Sequence, residues 1–313
     1  MAAAVTSAPA RQGDATALIV AVLLLTVWGT NFSIIKLVMS HITPGAFLFA
    51  RYIVTPACAV LLLLAIHGTR WPRLPRAEWK TLAWLTLLGH VLHVTLINWG
   101  IYLSSPFSTA LIVACGPLMT LVILVVAGTE RLVPAQVAGA LLAGGGILLF
   151  LADKFGLGWH AGLGDLVLLA ATLLFSLHTV AAREIIIRRG PTLVMAYTTI
   201  MAFPPLMLLT GVSGIATDWT SLPPGIVLGL AWALVVSSFT GWIVWGWVNR
   251  LLGVARTAPL MYLLPPIAGV AGWWMTGETF PPLKLAGAGV ALCGVALAQF
   301  ARPAPAFGGS SNG

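Results

Sequence analysis

Three histidines stand in the middle of long apolar runs. His90 and His93 are three residues apart, which places them on one face of a helix, and His178 lies in a second run. An ionisable group within a membrane span costs about 2.5–3.5 kcal/mol on insertion scales, so these residues are candidates for function. A histidine can hydrogen-bond a carboxylate or carry a proton near neutral pH. For each histidine alone, a neutral ring bonded to a carbonyl or to a neighbouring helix remains the alternative; the three together favour function.

Amide and aromatic side chains occupy comparable positions. Asn31 lies one turn from Trp28, and its amide can donate to a carboxylate or accept from an ammonium. Ser238, Trp242 and Trp245 follow at i, i+4 and i+7, although Trp245 is equally typical of a membrane interface, and Trp242 of core packing or lipid contact. Flat aromatic faces with one polar atom suit aromatic side chains and cations. We predict a substrate site made of Trp28, Asn31, His90, His93, Trp99, His178, Ser238, Trp242 and Tyr262.

Charged residues are scarce inside the apolar runs. Arg51 is the isolated exception, and we expect a structural role in which it reaches outward or bonds carbonyls freed near a proline. All acidic residues fall in tails, loops or run ends: Asp14, Glu78, Glu130, Asp153, Asp165, Glu184, Asp218 and Glu278. Proton coupling would therefore depend on the histidines, and facilitated diffusion is the alternative. No Walker or H-E-x-x-H motif occurs, and Cys58, Cys115 and Cys293 have no metal-site spacing, so we expect neither cofactor nor metal.

The elements that position these residues must span a membrane. Of 313 residues, 59% are hydrophobic and 8% are charged, against about 25% charged in soluble domains. This composition excludes a soluble enzyme and a disordered scaffold. A nucleic-acid binder is excluded despite the net charge of +8, because the basic residues lie mostly in short gaps between apolar runs. A spanning helix needs about 20 apolar residues, which predicts ten spans: 17–39, 44–67, 81–103, 106–127, 134–152, 164–187, 192–212, 223–248, 257–275 and 283–301.

The loop charges predict the orientation in the bilayer. With the N-terminus in the cytoplasm, twelve lysines and arginines lie in inside segments and three at outside ends. Cytoplasmic loops carry the excess of basic residues. We therefore expect both termini in the cytoplasm, with tails at 1–16 and 302–313, and a bacterial inner (plasma) membrane as the location.

A shift of 148 residues relates the two halves of the chain. It pairs Trp99 with Trp247 and Glu130 with Glu278, together with several prolines and glycines. Shared rare residues at one shift make coincidence improbable. Each half, 17–152 and 164–301, holds five spans, so the second enters the membrane from the opposite side. We therefore predict an all-α membrane protein of ten transmembrane helices in a 5+5 inverted-topology repeat, the architecture of secondary transporters.

Prolines and glycines mark particular spans within this repeat. Paired spans 2, 4, 7 and 9 carry central prolines, which we predict as hinges: Pro56, Pro117, Pro204, Pro265 and Pro266. Simple kinks are the alternative, about as good for spans 2 and 7. Spans 5 and 10 are dense in Gly and Ala, which lets helix backbones approach closely. They are expected to pack against neighbouring helices or to form a homodimer.

Several stretches resemble the EamA domain of the drug/metabolite transporter superfamily. WGTNFSIIK at 28–36, ARYIVTP at 50–56 and GTERLVPAQVAGALLAGGGILL at 128–149 resemble its first copy. GDLVLLAATLLFSLHTVAAREI at 164–185 and the segment 257–298 are similar to the second. The resemblance covers almost the whole chain. It implies export of small metabolites through a central cavity lined by helices 1, 3, 4, 6, 8 and 9, with the amino-acid exporters as the nearest branch.

The predicted function is therefore a secondary transporter that exports neutral or aromatic amino acids by alternating access. Its partners would be a small-molecule substrate and the lipid bilayer. An exporter of other metabolites or drugs is the alternative with the same fold. An intramembrane enzyme is a distant third, because Ser176 and His178 are two residues apart and do not share a helix face.

Overall fold

The computed structural model describes residues 12–128, 133–155, 159–252 and 257–300. These residues form ten consecutive helical segments and no strand; nine are each long and apolar enough to cross a membrane, and the ninth in order is divided into two shorter pieces. The spans are α1 Gln12–Val38, α2 Pro44–His67, α3 Arg76–Leu103, α4 Pro106–Val126, α5 Pro134–Phe155, α6 Trp159–Arg189, α7 Pro191–Ile215, α8 Pro224–Leu252, α9 (a 3₁₀ segment Ala258–Leu263 and an α-helix Leu264–Thr276) and α10 Pro282–Phe300. The ten-helix prediction is confirmed. Helices α1, α3 and α6 begin five residues before the predicted spans, because their first turns extend beyond the apolar stretch.

Local sequence explains where the helices begin. Six start at a proline, whose missing N–H falls among the groups that a first turn leaves unpaired anyway. Thr43 caps α2 by accepting a hydrogen bond from the Ala46 N–H at 3.2 Å, and Ser105 caps α4 in the same way from Ser108. Below, the side of the bundle where α1 begins is called the N-side and the other the far side.

Helix contacts repeat under the exchange of the two halves. Helix α1 packs on α8 and α9, and the equivalent α6 packs on α3 and α4. Helices α2 and α7 pack on each other, as do α5 and α10, so these pairs lie on the axis that relates the halves. The arrangement is that of a 5+5 inverted repeat.

Interruptions of the helices repeat as well. A π-helical stretch runs through the middle of α3 at Leu87–His93, and another runs through α8 at Trp232–Thr240. Helix α4 is broken at Cys115, and the 3₁₀ segment of α9 ends at Leu263, 148 residues later. Pro117 and Pro265 directly follow these two breaks. By contrast, α2 and α7 continue as helices through Pro56, Pro204 and Pro205.

Four glycines allow α5 and α10 to touch through their backbones. A Cβ on Gly139 would lie 2.5 Å from the Ala298 nitrogen, and one on Gly146, Gly287 or Gly294 would also collide with the opposite backbone. Gly139 pairs with Gly287 and Gly146 with Gly294 under the 148-residue shift. These small faces are therefore occupied within the chain, as the first of the two expectations for spans 5 and 10 requires. The homodimer stays a prediction, and it would need another face of these helices.

A pair of alanine variants on α10 tests this interface. Gly294→Ala drives a methyl group into the α5 backbone, and overpacking of this kind costs about 1–3 kcal/mol. The control is Gly289→Ala on the same helix, since a Cβ there meets nothing within 4 Å. We expect the thermal unfolding temperature in detergent to fall by several degrees for Gly294→Ala and to stay level or rise for Gly289→Ala. Equal unfolding temperatures would contradict close backbone packing.

Candidate functional site

A chain of aromatic rings crosses the middle of the bundle and links the two repeats. Trp28 of α1 lies 5.8 Å from Trp242 of α8, measured between ring centroids. Trp242 lies 5.8 Å from Phe175 of α6, and Phe175 lies 5.0 Å from His93 of α3 and 6.5 Å from His178. We call these five residues the central cluster. It joins four of the six helices that the family resemblance assigns to the cavity.

Two glycines in the interrupted helices make room for these rings. A Cβ on Gly89, in the π-helical stretch of α3, would lie 2.5–2.7 Å from the His178 ring. A Cβ on Gly241, just after the π-helical stretch of α8, would lie 2.6 Å from Trp28 Nε1. The Trp28 indole N–H donates to the Ser237 carbonyl at 3.0 Å, which fixes the ring against α8. Each repeat thus packs one ring, Trp28 or His178, against a glycine in an interrupted helix of the other repeat.

The three histidines have different surroundings. The Tyr52 hydroxyl lies 3.1 Å from His90 Nδ1, and Thr198 Oγ1 lies 3.2 Å from His90 Nε2. Because Thr198 Oγ1 already donates to the Val194 carbonyl, it accepts from Nε2–H, and Tyr52 donates to Nδ1. Both nitrogens of His90 are therefore used in holding α2, α3 and α7 together. The structure supports the alternative reading for His90, a neutral ring bonded to neighbouring helices.

His93 and His178 keep more of their polar capacity. His93 Nδ1 donates to the Ala171 carbonyl of α6 at 2.8 Å, which leaves Nε2. His178 is half-buried, and no residue of the described ranges hydrogen-bonds it. It stacks on Phe175 and is the histidine best placed to meet a ligand.

The other predicted residues divide in the same way. Asn31 and Tyr262 lie inside the bundle, where the Asn31 side-chain oxygen and the Tyr262 hydroxyl are buried and have no hydrogen-bond partner among the described residues. The Ser238 hydroxyl donates to the Ala233 carbonyl at 2.7 Å, within its own π-helical stretch. Trp99 lies apart: its side chain is 42% exposed and its ring meets Tyr102 of the same helix edge-on. Trp99 is therefore not brought to the central cluster.

Phe175 is a member of the cluster that sequence reasoning missed. It touches His93, His178 and Trp242 and so connects three helices. Its position three residues before His178 was the available signal, because residues i and i+3 share a helix face.

Polar contacts close the far side of the cluster. Lys36 at the end of α1 donates to the carbonyls of Ile101, Tyr102 and Ser104 at the end of α3, at 3.2 Å for Ile101 and 2.6 Å for Ser104. We call this contact the Lys36 latch. The Ser104 hydroxyl in turn donates to Asp165 at the start of α6. Carbonyls at a helix C-terminus attract a cation, so the latch fits the polarity of α3.

A second far-side contact joins α4, α9 and α10. The Glu278 carboxylate accepts from the Phe107 N–H at 3.2 Å, at the start of α4, and pairs with Lys284 at 3.1 Å. Both side chains of this ion pair are almost fully buried, and the Lys284 ammonium lies 5.4 Å from the centroid of the Phe150 ring. The anion at a helix N-terminus is again the favourable polarity.

The polar contacts of the N-side lie within one of two groups of helices. Glu78 of α3 pairs with Arg189 of α6 at 2.9 Å, and the Tyr197 hydroxyl of α7 donates to the Pro72 carbonyl. Helix α1 packs on α8 through a different cluster, formed by Ala17, Ala21, Val248 and Leu252. Helix α8 touches α7 on this side, and Phe239 of α8 packs on Ala59, Leu63 and Ala196. No hydrogen bond or ion pair of the described residues joins the two groups there, whereas the Lys36 latch joins them on the far side.

Equivalent residues of the two repeats show the same difference. Met39 at the far end of α1 is 3% exposed, and its counterpart Ile187 at the N-side end of α6 is 75% exposed. Ile35 is buried and its counterpart Arg183 is exposed. Helix α9 likewise packs on the far-side half of α4. In the N-side half of α4, Gly116–Val126, only Gly116 is buried. The two repeats are built alike but are packed differently at the two faces.

Two hollows lie away from the central cluster. One of about 460 Å³ is on the N-side, between the connection from α2 to α3 and helices α3 and α7. The other, of about 300 Å³, lies beside α9 and is lined mainly by apolar residues: Phe107, Pro266, Gly269, Val270, Trp273, Phe280 and Leu285.

The pattern of two like-built halves matches a known family. The model of the EamA-like transporter family matches residues 15–152 and again residues 162–300. The chain belongs to this family. Its membership agrees with ten spans and a duplicated unit, and it makes the chain an integral membrane protein of a transporter family.

Related proteins align with most of this chain. The "probable terminal-alkyne amino-acid exporter" of Streptantibioticus cattleyicolor is 26% identical over 88% of this chain and 91% of its own. The "probable amino-acid metabolite efflux pump" of Salmonella typhimurium is 24% identical over 90% and 93%. The "S-adenosylmethionine/S-adenosylhomocysteine transporter" of Chlamydia trachomatis serovar L2 is 27% identical over 87% and 85%. One crystal structure, 21% identical, superposes with a TM-score of 0.55 over 91% of this chain and 97% of that one, which supports the fold.

The unequal roles of the histidines lead to a stability test. His90→Ala removes two side-chain hydrogen bonds and leaves the Tyr52 hydroxyl only its long contact of 3.4 Å with the carbonyl of residue 90, a loss of about 1–3 kcal/mol for a buried polar group poorly paired. His178→Ala removes no hydrogen bond within the described structure. We expect the thermal unfolding temperature to drop by several degrees for His90→Ala and much less for His178→Ala. Equal drops would show that this division between the two histidines is wrong.

Proposed function

We propose that the chain exports small metabolites, with neutral and aromatic amino acids as its substrates, and that they bind at the central cluster. The observation that carries this proposal is the chain of rings from Trp28 through Trp242 and Phe175 to His93 and His178. Aromatic faces attract apolar and aromatic side chains and also ammonium groups. Free polar atoms of His178, Asn31 and Tyr262 would hydrogen-bond the polar end of the substrate. The names of two relatives support amino acids.

Export of other metabolites is the second candidate. It is favoured by the relative from Chlamydia trachomatis, whose name gives S-adenosylmethionine as its substrate. The two candidates share the fold and the position of the site, and a broad substrate panel separates them.

The expected direction follows from the two faces. The loop charges favour a cytoplasmic N-side, and there no hydrogen bond or ion pair of the described residues ties the two groups together as the Lys36 latch does on the far side, which supports opening toward the cytoplasm. The described arrangement would thus receive substrate from the cytoplasm, while the Lys36 latch prevents release outside. Release requires the reverse arrangement, in which the far side opens and the N-side closes. In this account the breaks before Pro117 and Pro265 let α4 and α9 bend, so that these prolines act as hinges.

The repeat identifies a contact for the reverse arrangement. The 148-residue shift carries Lys36 to Glu184, near the N-side end of α6, and Tyr102 to Arg250, near the N-side end of α8. Glu184 and Arg250 are exposed, and neither is in an ion pair in the described structure. An approach of α6 to α8 that mimics the packing of α1 on α3 would bring these opposite charges together. We call this contact the Glu184–Arg250 latch.

Two tryptophans of similar exposure test the site. Trp242→Ala removes a ring at the centre of the cluster, while Trp99→Ala removes one that meets only Tyr102 in the described ring contacts. The two side chains are 38% and 42% exposed, which makes the second variant a matched control. We expect Trp242→Ala and His178→Ala to lower the flux of labelled phenylalanine from proteoliposomes about tenfold or more, and Trp99→Ala to retain it. Comparable loss in Trp99→Ala would place the site elsewhere, and no flux of any amino acid in the unmodified protein would refute the substrate class.

A charge exchange tests the Glu184–Arg250 latch. Glu184→Arg and Arg250→Glu each create a like-charged pair at the place where α6 and α8 should meet, so each single variant should export more slowly. The double variant restores opposite charges and should recover most of the flux, measured at equal amounts of inserted protein. If the double variant is as slow as the slower single one, the two side chains do not meet during transport.

A further inference from the structure

Arg51 is an unpaired cation inside the bundle. It lies in the far-side third of α2 and is half-buried. Within the described ranges its guanidinium takes part in no hydrogen bond or ion pair. The carbonyl bonds, one of the two structural roles expected for Arg51, are therefore not observed. A charge held in a membrane span without a partner is unfavourable, so its retention calls for a compensating anion.

The position of Arg51 on α2 directs it toward the centre. Phe47, Ala50 and Val54 pack into the core shared with α3 and α8, whereas Leu48 and Tyr52 pack against α3 and α7. At 100° per residue, Arg51 falls between these two faces, and so on the side of α2 that meets α3.

The groups that interact electrostatically with Arg51 include no carboxylate. Its electrostatic neighbours are Tyr52, His90 and His93. Tyr52 and His90 are bonded to each other, and His93 belongs to the central cluster. The acidic residues of the described ranges lie in loops or near the helix ends. No residue of the described ranges therefore supplies the compensating anion, which leaves a bound ligand as its source.

Arginine is suited to one class of anion in particular. Its planar guanidinium binds a carboxylate through two parallel N–H···O bonds, a geometry that the point charge of a lysine does not reproduce. A metabolite with one carboxylate and an apolar or aromatic body would place its carboxylate on Arg51 and its body on the rings of the central cluster.

We propose that Arg51 is the anion-binding part of the site and that it binds the carboxylate of the transported metabolite. The proposal rests on the proposed function in taking the central cluster as the substrate site. It assigns to Arg51 a ligand contact, and it makes a free carboxylate a requirement for good substrates.

Matched ligand pairs test the assignment on purified protein. Phenylalanine is compared with phenylalaninamide, and 3-phenylpropionate with 3-phenylpropionamide, by the ligand concentration needed to raise the thermal unfolding temperature. The second pair lacks the amine and so reports the carboxylate alone. The proteins are the unmodified chain, Arg51→Gln, Arg51→Lys and, as the control, Arg70→Gln, which changes an exposed loop arginine.

The expected result is a loss of the acid preference. The unmodified protein and Arg70→Gln should bind both acids at least tenfold more tightly than their amides. Arg51→Gln should bind acid and amide alike, and Arg51→Lys should keep part of the preference because the charge remains without the paired geometry. If Arg51→Gln does not fold, as judged by gel filtration, the decision rests on Arg51→Lys, which must weaken the acids and leave the amides unchanged.

Two outcomes overturn the proposal: no preference for the acids in the unmodified protein, or an unchanged preference in Arg51→Gln or Arg51→Lys. Failure of the proposed function looks different. If no amino acid is transported in proteoliposomes but 3-phenylpropionate still depends on Arg51, the substrate class is wrong and the role of Arg51 stands.

Discussion

Each repeat has five spans, and an odd number forces the second repeat into the bilayer in the opposite direction to the first. In hydrocarbon every backbone polar group must be satisfied within the protein, so each half can only be a bundle of helices. Two similar bundles in opposite orientations then make the same contacts with exchanged partners: α1 on α8 and α9, and α6 on α3 and α4. The glycine faces of α5 and α10 and the contact of α2 with α7 hold the halves together along the axis between them.

Like-built halves do not have to be packed alike at the two faces. Met39 is buried where its counterpart Ile187 is exposed, and Lys36 is bonded where Glu184 is exposed. The far side carries the buried pair of Glu278 and Lys284, set against the start of α4. We infer that this unequal packing of the two faces is one of two arrangements of nearly equal energy. A carrier with inverted repeats exchanges such arrangements when the packing of one half is transferred to the other.

The sequence predicted the scaffold better than the site. Runs of about 20 apolar residues separated by short basic gaps leave little freedom, and the ten helices follow from them. Trp28, His93, His178 and Trp242 do come together, since all four lie near the middle of spans that face one another. For His90 the sequence could not choose between a ligand contact and a ring bonded to neighbouring helices, because its partners Tyr52 and Thr198 lie 38 and 108 residues away in sequence. Trp99 was among the predicted site residues, but its pairing with Trp247 reflects the duplication of the repeat and does not place either residue in a common cavity.

The interrupted helices explain why several side-chain positions could not be predicted from the sequence. A π-helical stretch changes the number of residues per turn, so faces assigned at 3.6 residues per turn drift across Leu87–His93 and Trp232–Thr240. Prolines indicated where α4 and α9 would be interrupted, whereas no proline marks the stretches in α3 and α8. Glu130, whose pairing with Glu278 supported the inversion, lies outside the described residues, and the inversion rests instead on the repeated contacts and the duplicated family match.

The central claim is that the Lys36 latch and the Glu184–Arg250 latch exclude each other. It is tested most directly by cysteine pairs at 36/102 and 184/250, combined in one protein whose native cysteines have been replaced, and treated with a short bifunctional thiol reagent during transport. The account predicts that each pair can be cross-linked but that a single molecule carries one cross-link or the other. Molecules with both cross-links would contradict it.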